Sequence, residues 1–128
     1  MKYCYDSDGY NLNEFHYLAL SAKTVDEISH IKRMNVAKKS LSSFRDITPV
    51  HCAAINPNGE ILKYMLEIGG DFFVNDIDMR KPIHYAAGAE TNAGLKVLLD
   101  LKCDCRITDA DKMTPVMYAA RAGRAKNI

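Results

Sequence analysis

The sequence predicts an all-α solenoid, in which helix-turn-helix units lie side by side and are joined by short β-turn or hairpin fingers. The prediction rests on a constant stride. Pro49, Pro82 and Pro115 fall 33 residues apart, and the pairs Ala53-Ala54, Ala86-Ala87 and Ala119-Ala120 keep the same interval. Around them stand three copies of one heptapeptide: Thr48-Pro49-Val50-His51-Cys52-Ala53-Ala54, Lys81-Pro82-Ile83-His84-Tyr85-Ala86-Ala87 and Thr114-Pro115-Val116-Met117-Tyr118-Ala119-Ala120. A period of this length marks units that cannot bury their apolar faces alone and stack to do so.

The units follow in chain order, and 1–128 reads as one domain with repeats at about 8–42, 43–75, 76–108 and 109–128. In the divergent first unit, Asn13 to Ala19 takes the place of the heptapeptide, with His16 35 residues before His51. Val25, Ile28, Ile31 and Met34 then give a second helix. In the next unit Thr48 offers an N-cap hydroxyl ahead of Pro49, whose fixed φ and missing N–H suit a first helical turn. The small Ala53 and Ala54 let a neighbouring helix come close, and Ile61, Leu62, Met65 and Leu66 supply it on one face. Gly69 ends that helix as a left-handed cap, and the dozen or so residues up to Pro82 suffice only for a turn-containing finger.

The third unit repeats the pattern with Leu95, Leu98 and Leu99. Two departures are expected to weaken it. Gly94 inside its second helix should cost roughly 1 kcal/mol against alanine, and Lys102-Cys103 replaces Gly69-Gly70, so the helix must end in another way. The last unit only begins its second helix, which leaves Val116, Ala119 and Ala120 without a partner inside the repeat. Three expectations follow for it: a longer array or larger parent protein, a disordered last segment, or a cover supplied by something else.

These heptapeptides resemble the signature of the ankyrin repeat family, Thr-Pro-Leu-His-x-Ala, in a 33-residue unit of a β-turn finger and two antiparallel helices. The resemblance spans about Asp8 to Ile128, with two complete units, a divergent leading one and a truncated last one. Met117 departs from the signature histidine and Lys81 from its threonine, while Met79 and Lys112 hold the turn position where the family prefers glycine, which opens those finger tips to another conformation. The resemblance implies that His16, His51 and His84 tie adjacent repeats by hydrogen bonds, in line with the rule that buried polar groups are paired. It also implies a non-enzymatic protein-protein interaction module, alone or as the scaffolding or regulatory segment of a larger signalling protein, channel or enzyme.

Composition narrows the partners. With 17 Lys+Arg against 16 Asp+Glu the formal charge is +1, so no general pull toward nucleic acid exists. The mix of 48% hydrophobic and 26% charged residues suits a folded soluble chain. No run of eighteen apolar residues occurs, and the start, Met1 to Asp6, has no apolar leader region, so neither membrane insertion nor secretion is expected. Four scattered cysteines, Cys4, Cys52, Cys103 and Cys105, suggest a reducing, cytoplasmic setting.

Candidate chemistry is thin. Cys103 and Cys105 lack the second ligand pair that structural zinc requires. His51 and Cys52 are adjacent, so on a helix they point about 100° apart and cannot act as base and nucleophile. Neither nucleotide-binding glycine motif occurs, and Asp76 with Asp78 reads as turn-forming acids ahead of acid/base catalysis. No cofactor, metal or small-molecule substrate is therefore expected, with a thiol- or metal-dependent enzyme as the distant alternative. Lys32, Arg33, Lys38 and Lys39 form a short basic stretch, ordinarily a solvated face, and His30 reads as an exposed helix residue.

What remains is a ledge of finger tips and first-helix positions, the usual docking surface of stacked repeats. By register it holds Tyr10, Phe44, Arg45, Ile47, Ile55, Asn56, Ile77, Asp78, Arg80, Asp111, Met113 and Arg121. Tyr and Arg are the types that dominate binding energy, although Phe44 and Ile47 equally suit tucking beneath the neighbouring finger. A protein partner of unspecified identity is expected there. Charge reversal at Arg80 should weaken its capture, and reversal at Lys63, on the outer helix face, should not.

Overall fold

The computed structural model describes residues 14–29 and 46–123. Tyr10, Phe44 and Arg45 of the expected ledge, the basic stretch, His30, Ile31, Met34 and Cys4 lie outside those residues. The described part contains six α-helices and one 3-10 helix, with no strand. In chain order these are α1 (Glu14–Ser21), the 3-10 turn Val25–Ile28, α2 (Pro49–Ile55), α3 (Gly59–Glu67), α4 (Pro82–Gly88), α5 (Ala93–Asp100) and α6 (Pro115–Arg121). They pile up as the 33-residue stride requires. An inner row stacks α1 on α2, α2 on α4 and α4 on α6, while the outer row places α3 between the 3-10 turn and α5.

Of the inner helices, α2, α4 and α6 each start at a proline, and the start is closed in two ways. In α2 and α4 the imidazole Nδ1 accepts the N–H of the residue before the proline, His51 from Thr48 at 3.1 Å and His84 from Lys81 at 3.0 Å. A threonine is thus dispensable where a histidine follows. In α6, where Met117 stands in for that histidine, the Thr114 hydroxyl accepts the Met117 N–H instead.

Between the rows runs a continuous core of Ile28, Val50, Ile61, Leu62, Met65, Ile83 and Leu98, all within 1% of complete burial. Gly94 belongs to this packing. A β-carbon there would sit 2.2 Å from the carbonyl oxygen of Ala54, so the bare glycine lets α5 rest against the end of α2. The expectation that it weakens its helix is therefore corrected: only glycine fits this crossing.

Both complete outer helices end alike. Gly69, at φ +115°, and Gly70 return their N–H groups to Leu66 and Met65. Lys102, at φ +64°, and Cys103 do the same to Leu99 and Leu98, so the lysine accepts the left-handed conformation rather than ending the helix differently. Asp46, Met79 and Lys112, one stride apart, are likewise left-handed at +52°, +61° and +64°, so the finger tips share one conformation without glycine. At the last described helix Ala119 is fully buried against α4 and needs no partner from its own repeat, whereas Val116 and Met117 are 47% exposed and Ala120 is exposed.

Candidate functional site

The finger and inner-helix face is built by a bonding pattern that recurs at the repeat pitch. Two fingers open with an aspartate whose Oδ1 gathers two backbone N–H groups. Asp76 takes those of Asp78 and Arg80 at 2.9 and 2.8 Å, and Asp109 takes those of Asp111 and Met113, both at 2.9 Å. The other oxygen, Oδ2, receives a tyrosine hydroxyl from the inner helix nine residues on: Tyr85 at 2.6 Å for Asp76, and Tyr118 for Asp109. The sequence reading of Asp76 as a turn-forming acid fits this geometry. The two tyrosines it missed, although both aspartate–tyrosine pairs recur at the stride and were visible there.

Histidines tie one repeat to the next. Because Nδ1 of His51 and His84 accepts a backbone N–H, the proton sits on Nε2, which donates to the Arg80 carbonyl at 3.0 Å and to those of Ile107 and Met113 at 3.1 and 3.2 Å. His16 Nε2 faces the Ile47 carbonyl in the same way. Burial lowers all three imidazole pKa values, that of His16 to about 4, so they are neutral links. Two of the rings also meet the tyrosine of the following repeat, His51 with Tyr85 at 4.7 Å and His84 with Tyr118 at 5.4 Å.

The acids and phenols are tuned accordingly. Burial works against ionisation of Asp109, but the Tyr118 hydroxyl and the N–H groups of Met113 and Asp111 outweigh it and hold the carboxyl below its usual range. Burial and the bond to Asp109 push the Tyr118 hydroxyl up to about 12, and burial with Asp76 pushes Tyr85 up as well.

Against this frame the expected ledge divides. Ile77 is 48% exposed, Asp111 and Arg121 are exposed, and Ile55, Asp78 and Met113 are half-buried. Arg121 lies over the Tyr118 ring at 5.4 Å. Two residues leave the ledge as corrections. Ile47 is 7% exposed and tucks into the core. Asn56 is 2% exposed, and its Nδ2 donates to the carbonyls of Ala19 and Ala22, closing the end of α1 from the end of α2.

Arg80 is also spoken for. Its guanidinium lies 3.0 Å from Asp78 and 4.0 Å from both Asp76 and Asp109, so it bridges two successive fingers. Reversing its charge would disturb the stack as well as any docking, which removes it as a clean probe of the ledge. Met79, which the register reading passed over, is 50% exposed at a finger tip near Ile77. A cavity of about 210 Å³ opens on this face, floored by Tyr85, Tyr118, His84 and Ile55.

The two buried thiols offer little reactivity. Burial pushes Cys52 up to about 12 and raises Cys103, so neither supplies a thiolate near neutral pH. Among the described residues no three His, Cys, Asp or Glu side chains group as a metal cage, and no helix is long and apolar enough to cross a membrane.

A family model described as "Ankyrin repeats (3 copies)" matches residues 15–109 and, in a second alignment, residues 50–128. No curated protein matches the chain.

Proposed function

The chain belongs to the ankyrin repeat family, whose members are in general protein-protein interaction modules, and from that premise we propose that it acts as a non-enzymatic module docking a protein partner on its finger and inner-helix ledge. One observation carries the reading. The polar groups that shape the ledge, Asp76, Asp109, His51, His84 and Arg80, are bonded within and between repeats, while Ile77 and Met79 remain about half exposed at the finger tips with no place in the core. These bonds brace the frame, and the finger-tip side chains of Ile77 and Met79 take no part in them. A partner then meets Ile77, Asp111, Met113 and Arg121 at fixed separations, and little conformational entropy is lost on docking. The raised thiol of Cys52 supports the module over a cysteine enzyme.

The test is site-specific capture followed by affinity. A photo-crosslinking amino acid at Ile77 or Arg121 should trap a protein that the same amino acid at Lys96, exposed on α5 in the outer row, does not. With that protein purified, Ile77→Asp combined with Asp111→Lys should weaken binding at least about tenfold, roughly 1.4 kcal/mol, and Lys96→Glu should leave it unchanged. Equal weakening by both, or capture only from Lys96, would remove the ledge assignment.

A further inference from the structure

A second surface lies away from the ledge, between the outer helices α3 and α5, where a cavity of about 470 Å³ opens. Its floor is apolar: Leu66, Phe72 and Val97 are half-buried there, and Leu101 is 46% exposed. Its rim is acidic. Glu60 and Glu67 from α3 and Asp100 from α5 stand around it, against the single ammonium of Lys63. The whole chain balances 17 cations with 16 anions, so this excess of negative charge is a local feature.

The state of these carboxylates separates them from Asp76, Asp104 and Asp109. Asp76, Asp104 and Asp109 are consumed by backbone N–H groups, by tyrosine hydroxyls or by Arg106. Among the described residues, Glu60, Glu67 and Asp100 hold no ion-pair partner, although Lys63 shares the rim. Nor do the three converge as a metal-binding group. Their charge is spread along an edge, which suits a row of positive side chains better than a single ion.

We propose that this groove is a second docking site, taking a basic peptide segment that seats one apolar side chain on the Leu66, Phe72, Val97 and Leu101 floor and lays flanking Lys or Arg along the Glu60, Glu67 and Asp100 rim. The volume falls in the range of ligand pockets and holds a leucine- or phenylalanine-sized anchor with its neighbours. The rim repels acidic segments, so it selects as well as attracts. The proposal does not depend on the ledge: the two faces can be occupied or lost independently.

The test uses isotope-labelled full-length protein titrated with a decapeptide alternating lysine and leucine, beside a lysine-serine and a glutamate-leucine decapeptide. Backbone amide shifts should move saturably at Glu67, Val97 and Leu101 with the lysine-leucine peptide at sub-millimolar concentration, and hardly with the other two. Glu67→Lys combined with Asp100→Lys should weaken that binding about tenfold, the sum of modest exposed charge contributions. Lys63→Glu should strengthen it by a fewfold, a gain that unfolding cannot mimic. No saturable shift up to about 1 mM, shifts confined to Ile77, Asp111 and Arg121, equal binding of the lysine-serine peptide, or no gain from Lys63→Glu would each overturn the proposal.

Discussion

Replacing Gly94 by alanine should destabilise the fold, against the ordinary rule for a helix. The added β-carbon would lie 2.2 Å from the Ala54 oxygen and 3.0 Å from its carbonyl carbon. A comfortable carbon–oxygen contact is more than about 1 Å longer, so α5 must retreat from α2 or the chain must distort. Overpacking of this kind costs about 1–3 kcal/mol, and the obstacle is backbone, which cannot swing aside. Helix propensity returns at most about 1 kcal/mol. The net expectation is a loss of about 1–2 kcal/mol, a fall of roughly 3–10 °C in Tm for a domain of this size. Gly88→Ala is the internal comparison, since the nearest atom to its β-carbon would be Cβ of Tyr118 at 4.0 Å; it should gain a few tenths to about 1 kcal/mol. Urea melts followed by circular dichroism read both. A Gly94→Ala midpoint at or above that of the parent would refute the close-approach argument.

Other outcomes follow from the same geometry. An imidazole held neutral by burial binds fewer protons folded than unfolded, so its contribution is complete above the unfolded value of 6.5 and is lost as pH falls toward the folded one. His16, at about 4, should alone account for about 3 kcal/mol by that pH; urea midpoints that stay level from pH 7 to 4.5 would contradict this. Lys102→Gly should raise stability by about 1 kcal/mol by relieving a left-handed side chain, measured in the same melts. Tyr118→Phe should cost about 1–2 kcal/mol by leaving the buried Asp109 carboxylate one donor short, and carboxyl titration by NMR should show the Asp109 pKa moving up toward its usual range.

The stride, the helix starts and the histidine ties were legible because each depends on residue type at a fixed spacing. Whether a registered position is free was not. Asn56 and Arg80 fall where the ledge should be, yet Asn56 is consumed by α1 carbonyls and Arg80 by three aspartates, contacts that only coordinates reveal. Gly94 read as a weak helix residue because its reason lies across the repeat boundary, at Ala54, some 40 residues earlier in the chain. Lys102, Met79 and Lys112 show the opposite case: the backbone geometry persists where the residue that favours it is missing, because the surrounding hydrogen bonds dictate it. The outer groove was invisible for a simpler reason, since its rim comes from two helices whose sequences each look merely amphipathic.

The ties between copies overlap like shingles. A cut between Asn75 and Asp76 severs the bond from His51 to the Arg80 carbonyl, and a cut between Lys81 and Pro82 severs the one from Tyr85 to Asp76. No seam therefore lets one copy be lifted out with its fastenings whole. Any swap or duplication of copies, in evolution or at the bench, has to match its neighbours on both flanks.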